Sequence, residues 1–171
     1  SKVRELPNSV TNNLSGLRYI RTLEDANKFG DVLKKGRRIV IIGGGYIGLE
    51  AAAVCAQKGM KVTLVEAGSR ILQRVACRET SEWFKRLHSE EGVDIKEGVG
   101  LSHFEGQGGK LTRAVLNDKS VIDAEVAVVG IGILPSTELA EECGLAVENG
   151  IIVNGVCQTN DLDIYAAGDC A

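Results

Sequence analysis

The run Gly43-Gly44-Gly45-Tyr46-Ile47-Gly48 places glycine at its first, third and sixth positions, and Glu66 stands 18 residues beyond the last of them. Each glycine at this spacing has a mechanical use. Gly43 permits a tight turn, Gly45 lets backbone approach a bulky ligand, and Gly48 lets a helix lie close to a sheet. A helix that opens there offers free N–H groups and the positive end of its dipole to an anion. A carboxylate at Glu66 accepts hydrogen bonds from both hydroxyls of a ribose and repels a 2′-phosphate. Pyrophosphate and ribose together describe a dinucleotide, and the carboxylate favours NAD(H) over NADP(H). Arg70 and Arg74 lie just beyond Glu66 and pull the other way, since arginines there pair with a 2′-phosphate. Glu50, two residues past Gly48, is placed in the first helical turn. As a residue type it is either a partner of the helix dipole or a contact to the cofactor, and both stay open.

Such residues need a frame. Ile39–Ile42 is a short apolar run suited to a strand covered on both faces. An alanine-rich helix is expected over Tyr46–Lys58, and a second buried strand over Lys61–Glu66. Strand, glycine turn, helix and strand within about thirty residues make a βαβ unit with parallel strands and a right-handed crossover. Upstream, Leu17–Ile20 reads as a short strand, and Thr22–Lys35 as a helix capped by Thr22. Residues 1–17 are polar and irregular. Downstream, a helix is expected from about Ala76 to Glu90, with Trp83, Phe84 and Leu87 on its apolar face, and then a third parallel strand at Val93–Ile95. Residues 99–105, 110–117 and 119–124 alternate and read as an antiparallel meander. A buried strand (Glu125–Gly130), a short helix (Thr137–Cys143), a hairpin turn (Glu148–Gly150) and a last strand (Ile164–Ala167) complete the chain. The fold class is α/β: a Rossmann-like dinucleotide-binding domain with a parallel sheet and an antiparallel β-meander crossover.

The 171 residues amount to about one domain. With 20 Lys plus Arg against 23 Asp plus Glu, the net charge of −3 gives no basic footprint for nucleic acid. No apolar run approaches the roughly 18–20 residues of a membrane span. The five cysteines form no CxxC pair, and only His88 and His103 are histidines. Scattered thiols of this kind read as unpaired in a reducing compartment, which places the protein in the cytoplasm. Cys55 and Trp83 are expected in the core and His88 on the surface. Arg70, Arg74, Arg78, Lys85 and Arg86 interleave with Glu79, Glu82, Glu90 and Glu91, and read as a mixed solvated face.

Four ordered motifs carry a family resemblance: RIVIIGGGYIGLEAAA (Arg38–Ala53), KVTLVE (Lys61–Glu66), VVGIGILP (Val128–Pro135) and IYAAGDCA (Ile164–Ala171). They resemble the two-dinucleotide-binding flavoprotein reductases of the pyridine nucleotide-disulfide oxidoreductase superfamily. Within these, the chain looks most like the ferredoxin and rubredoxin reductases that feed oxygenases, the putidaredoxin-reductase type. The resemblance covers the chain from Leu17 onward. It implies that Gly43, Gly44, Gly45, Tyr46, Ile47 and Gly48 hold NAD, and that Glu66 reads the adenosine ribose. By the same resemblance Glu50 reaches the nicotinamide carboxamide or ribose, and Arg74 lines the adenine or its ribose. Gly130-Ile131-Gly132 lies against the nicotinamide half, and Asp169 meets the ribityl chain of FAD. The family usually has Asn after the proline of its second glycine motif, whereas Pro135 is followed here by Ser136.

No second GxGxxG and no CxxxxC is present. The chain is therefore read as an NAD-binding domain with its flanks, cut from a longer enzyme. Residues 1–21 link it to a missing FAD domain, 22–155 form the NAD-binding domain, and 156–171 return to the FAD domain. The implied function is transfer of electrons from NADH through FAD to an iron–sulfur acceptor, a ferredoxin or rubredoxin. Orientation does this work, so no acid–base residue is expected. The alternatives are an NADH oxidase, nitrite reductase or coenzyme A disulfide reductase flavoprotein, an NADH-sensing module akin to apoptosis-inducing factor, or a domain for another nucleotide.

Overall fold

The computed structural model describes residues 1–171. Its elements run β1 (Lys2–Val3), α1 (Asn8–Thr11), β2 (Leu17–Arg18), α2 (Leu23–Gly30), β3 (Arg38–Ile42), α3 (Tyr46–Gln57), β4 (Lys61–Glu66) and α4 (Arg78–Glu90). They continue with β5 (Val93–Glu97), β6 (Leu101–Gln107), β7 (Lys110–Leu116), β8 (Val121–Asp123), β9 (Val126–Val129), β10 (Ile133–Leu134) and α5 (Glu138–Glu142). The chain divides into two compact units: Ser1–Arg4 with Gly132–Ala171, and Glu5–Ile131.

The unit of residues 5–131 holds a parallel sheet in the order β2-β9-β3-β4-β5 and an antiparallel meander β6-β7-β8. Alternate residues of a strand face opposite ways, and β3 shows the result. Ile39 and Ile41 pack with Leu49, Ala52 and Cys55 of α3, while Val40 and Ile42 pack with Phe104, Leu111 and Ala114 of the meander. A strand covered on both faces must be apolar throughout, which is why Ile39–Ile42 reads as an unbroken run. The α/β class, the parallel sheet and the meander in place of a crossover helix agree with the sequence reading.

Several elements differ from it. Helix α2 stops at Gly30 rather than Lys35, and Asp31–Arg37 turn back so that the Gly36 N–H donates to the Gly59 carbonyl. Thr22 does cap, through a reciprocal pair with Asp25. On α4, Trp83 and Leu87 are exposed, and the buried polar residues are Ser81 and His88. Positions 81, 84 and 88 form the inward stripe. The His88 Nε2 lies 3.2 Å from the Leu49 carbonyl oxygen and Nδ1 2.9 Å from that of Phe84, so whichever ring nitrogen carries the proton has an acceptor inside the protein. Within residues 1–17, β1 and α1 form, and Leu6, Leu14 and Leu17 pack on the meander side of the core.

In the other unit, β1 pairs antiparallel with β10. The Glu148–Gly150 hairpin is reduced to a single bridge, Val147–Ile151. Ile164–Ala167 is not a strand, because only Tyr165 makes a bridge, to Gln158, and no ladder continues on either side.

All five cysteines are free thiols, and burial pushes that of Cys55 up to about 12. The thiolate is the reactive form. At pH 8 an aromatic disulfide reagent will label Cys77, Cys143 and Cys157 in the native chain and Cys55 only after unfolding. Labelling of Cys55 at the rate of the exposed three would contradict its place in the core.

Candidate nucleotide-binding site

The glycine run joins β3 to α3. Gly43 has φ +108°, and a Cβ there would lie 2.3 Å from the Gly130 carbonyl oxygen. Only glycine tolerates both conditions. A Cβ on Gly48 would fall 2.0 Å from the Gly43 carbonyl oxygen, so the helix leaves the turn as closely as two backbones allow. Gly44 is packed too: a Cβ would meet Ile71 Cγ2 at 2.7 Å. Gly45 differs from all three. Its φ is an ordinary −81°, and a Cβ there would meet nothing within 4 Å. Space beside Gly45 is therefore open on the protein side.

Gly45 is the N-cap of α3, and no side chain caps that end. The first-turn amides of Tyr46, Ile47 and Gly48 accordingly have no intrahelical acceptor. Tyr46 and Ile47 are exposed beside them. This end of α3 has the geometry that suits an anion: open space, free amides and the positive end of a helix of 12 residues.

Glu66, the last residue of β4, faces the same loop. Its Oε2 accepts from the Gly44 N–H at 2.7 Å, and its Oε1 from the Gly68 N–H at 2.6 Å. Each carboxylate oxygen keeps a second lone pair for a ribose hydroxyl. The carboxylate thus has a task within the protein that the sequence did not disclose: it holds the glycine run to the loop after β4.

The two arginines separate. Arg70 Nη1 donates to the Ser81 hydroxyl and to the Cys77 carbonyl at 3.4 Å, and Nη2 donates to the Gln73 carbonyl at 3.3 Å. Arg74 is exposed and forms no such bonds. Of the pair, Arg74 is the cation available to a ligand. Glu50 corrects the sequence reading in one respect. Because α3 begins at Tyr46, Glu50 lies in the second turn and not the first, and its carboxylate is exposed. The dipole falls off within one turn, which removes the dipole explanation for this residue.

Gly130 and Ile131 run against Gly43, the Ile131 nitrogen lying 3.6 Å from the Cβ position there. The structure therefore collects Gly43 to Gly48, Glu50, Glu66, Arg74 and Ile131 in the unit of residues 5–131. Gly132, with φ +103°, and Asp169, whose Oδ2 accepts from the Ser1 hydroxyl at 2.8 Å, belong to the other unit.

Glu97 was missed. It ends β5 in register with Glu66, and its Oε1 accepts from the Ile71 N–H at 2.9 Å while Oε2 pairs with Lys85 at 2.5 Å. The available signal was positional: a second carboxylate at a strand end, beside the first.

Known proteins carry the same framework. The chain is 43% identical over 159 residues to putidaredoxin reductase CamA of Pseudomonas putida, covering 92% of this chain and 38% of that protein. It is 38% identical over 158 residues to a rubredoxin-NAD(+) reductase of the same species, covering 92% and 41%. Among solved structures, the covalent putidaredoxin reductase–putidaredoxin complex aligns with TM-score 0.90 at 40% identity, over 99% of this chain and 42% of that one. The ferredoxin reductase for the CYP199A2 system of Rhodopseudomonas palustris aligns with TM-score 0.91 at 35% identity, over 99% and 42%. The chain spans about two fifths of the length of these curated relatives. The family model for pyridine nucleotide-disulphide oxidoreductases matches residues 4–171, and that match runs through both compact units. The chain belongs to the pyridine nucleotide-disulphide oxidoreductase family.

Proposed function

We propose that this chain is the NADH-binding part of an FAD-dependent reductase that passes electrons from NADH through flavin to a ferredoxin or rubredoxin. The observation that carries the nucleotide assignment is the open, uncapped N-terminus of α3 beside the Glu66 carboxylate. The pyrophosphate lies against the amides of Gly45 to Gly48, and the adenosine ribose on Glu66. Arg74 is the cation beside the adenosine. Glu50 is free to meet the nicotinamide end, Ile131 and Gly132 are assigned to the nicotinamide half, and Asp169 to the flavin ribityl chain. Bound FAD would supply the hydride acceptor and the donor of single electrons. The residues here bind and orient, so affinity and geometry are what they contribute.

Relatives named as putidaredoxin, rubredoxin and ferredoxin reductases support the acceptor class. The functional division read from the sequence belongs to the same proposal: residues 1–21 as a link, 22–155 as the NAD-binding domain and 156–171 as the return to the FAD domain. Five free thiols support a cytoplasmic location, and no helix is long and apolar enough to cross a membrane.

Titration of the chain with NADH and, separately, NADPH tests the proposal by nucleotide fluorescence or heat. NADH is expected to bind at least about tenfold more tightly, a difference of one repelled phosphate at Glu66. An NADPH preference would defeat the role given to Glu66, and binding of neither would defeat the site.

A further inference from the structure

The loop after β4 reaches back onto the glycine run. The Leu72 N–H donates to the Gly44 carbonyl at 2.8 Å, and Ile71 fills the space beside Gly44. Leu72 does this in the left-handed region, at φ +54°, and is buried. A leucine holds that conformation only where its surroundings impose it.

Three anchors impose it. Glu97 takes the Ile71 N–H, Glu66 takes the Gly68 N–H, and Arg70 closes the loop. The Arg70 guanidinium spans the Ser81 hydroxyl, the Cys77 carbonyl and the Gln73 carbonyl, which places it across both ends of residues 73–77. Ser81 is 1% exposed and donates in turn to the Cys77 carbonyl at 3.2 Å. Its hydroxyl thus accepts from Arg70 and donates to the backbone, and it has no route to a ligand. Arg70 is committed to the protein, while Arg74 four residues later is not.

We propose that Arg70 is a positioning residue for the adenosine half of the nucleotide, acting through Ser81. It sets the course of residues 71–76 and touches no part of the nucleotide itself. This inference rests on the NADH reading of the site.

Four variants test it in this chain: Ser81→Ala, Arg70→Ala, the double variant and Arg70→Lys. NADH and NADPH affinities are measured at two salt concentrations, with amide exchange at Ile71 and Leu72. Ser81→Ala and Arg70→Ala are each expected to weaken NADH by about tenfold, and the double variant by no more than either, because the two residues act as one unit. The NADH:NADPH ratio and the salt dependence stay as in the wild type, and exchange at Ile71 and Leu72 speeds up. Arg70→Lys keeps the charge, yet an ammonium cannot span three fixed acceptors, so it behaves as Arg70→Ala.

A direct phosphate contact predicts the reverse: Ser81→Ala harmless, Arg70→Lys nearly wild type, and a shallower salt dependence for Arg70→Ala. Either of the first two results overturns the proposal. Should the wild-type chain bind neither nucleotide, the NADH reading fails on its own. Amide exchange then still decides the clamp, and unchanged exchange at Leu72 in both single variants overturns it.

Discussion

Gly48→Ala will lose both stability and nucleotide binding, whereas Gly45→Ala will keep the fold and lose only the nucleotide. At Gly48 the new methyl would lie 2.0 Å from the Gly43 carbonyl oxygen, which is backbone in a tight turn and cannot swing aside. Helix α3 must then move off β3 and open the contact of Leu49, Ala52 and Cys55 with Ile39 and Ile41. Overpacking of this kind costs about 1–3 kcal/mol and sometimes more. At Gly45 the backbone is extended, with φ −81° and ψ −174°, and nothing lies within 4 Å. The apo protein should not register the substitution, and its melting temperature should stay within a degree or two of wild type. A methyl there would stand where the proposed site places the pyrophosphate, and NADH affinity should fall by at least about tenfold. Thermal melts and NADH titrations of the two variants settle the matter together. Wild-type binding by Gly45→Ala would mean that no anion sits at this helix end.

Glu66→Ala should be the second severe change, with two distinct losses. On the proposed reading the ribose loses its acceptor, and the Gly44 and Gly68 N–H groups lose theirs. An unsatisfied donor that is partly shielded from water costs about 1–3 kcal/mol, so the protein should melt earlier even without nucleotide. NADH affinity should drop by about a hundredfold, since a charged acceptor and the loop geometry go together. NADPH should gain little, because removing the repulsion also loosens the loop that presents Arg74. Glu66→Gln keeps one carbonyl oxygen but turns an NH2 group toward the other N–H, and should fall between. If Glu66→Ala melts with the wild type, the carboxylate has no structural task and the close contacts to Gly44 and Gly68 are incidental.

Much of this site was legible because its residues are limited by steric rules that sequence records. The glycines at 43 and 48 are required by clashes with backbone, and the strand run at 39–42 by burial on two faces. Rules of that kind depend on neighbours in the chain. What was not legible depends on partners distant in sequence. His88 is polar by type, yet it is buried because the Leu49 carbonyl, 39 residues away, meets its ring. Trp83 is apolar, yet it is exposed because α4 turns positions 81, 84 and 88 inward. Arg70 resembles a phosphate reader until Ser81 is seen to hold it. The Ile164–Ala167 run lacked the neighbouring ladder that a strand requires. The misplacement of Glu50 was of another kind: α3 starts at Tyr46 as expected, and Glu50, its fifth residue, already lies beyond the first turn.

One detail of the chain path has an engineering consequence. The Arg4 N–H donates to the Gly132 carbonyl at 3.0 Å, and Lys2–Val3 pairs with Ile133–Leu134. The chain therefore departs into residues 5–131 and returns from them at neighbouring points. Both ends of that segment can be reached by a linker of a few residues, so they can be sealed to each other or opened elsewhere in a circular permutant.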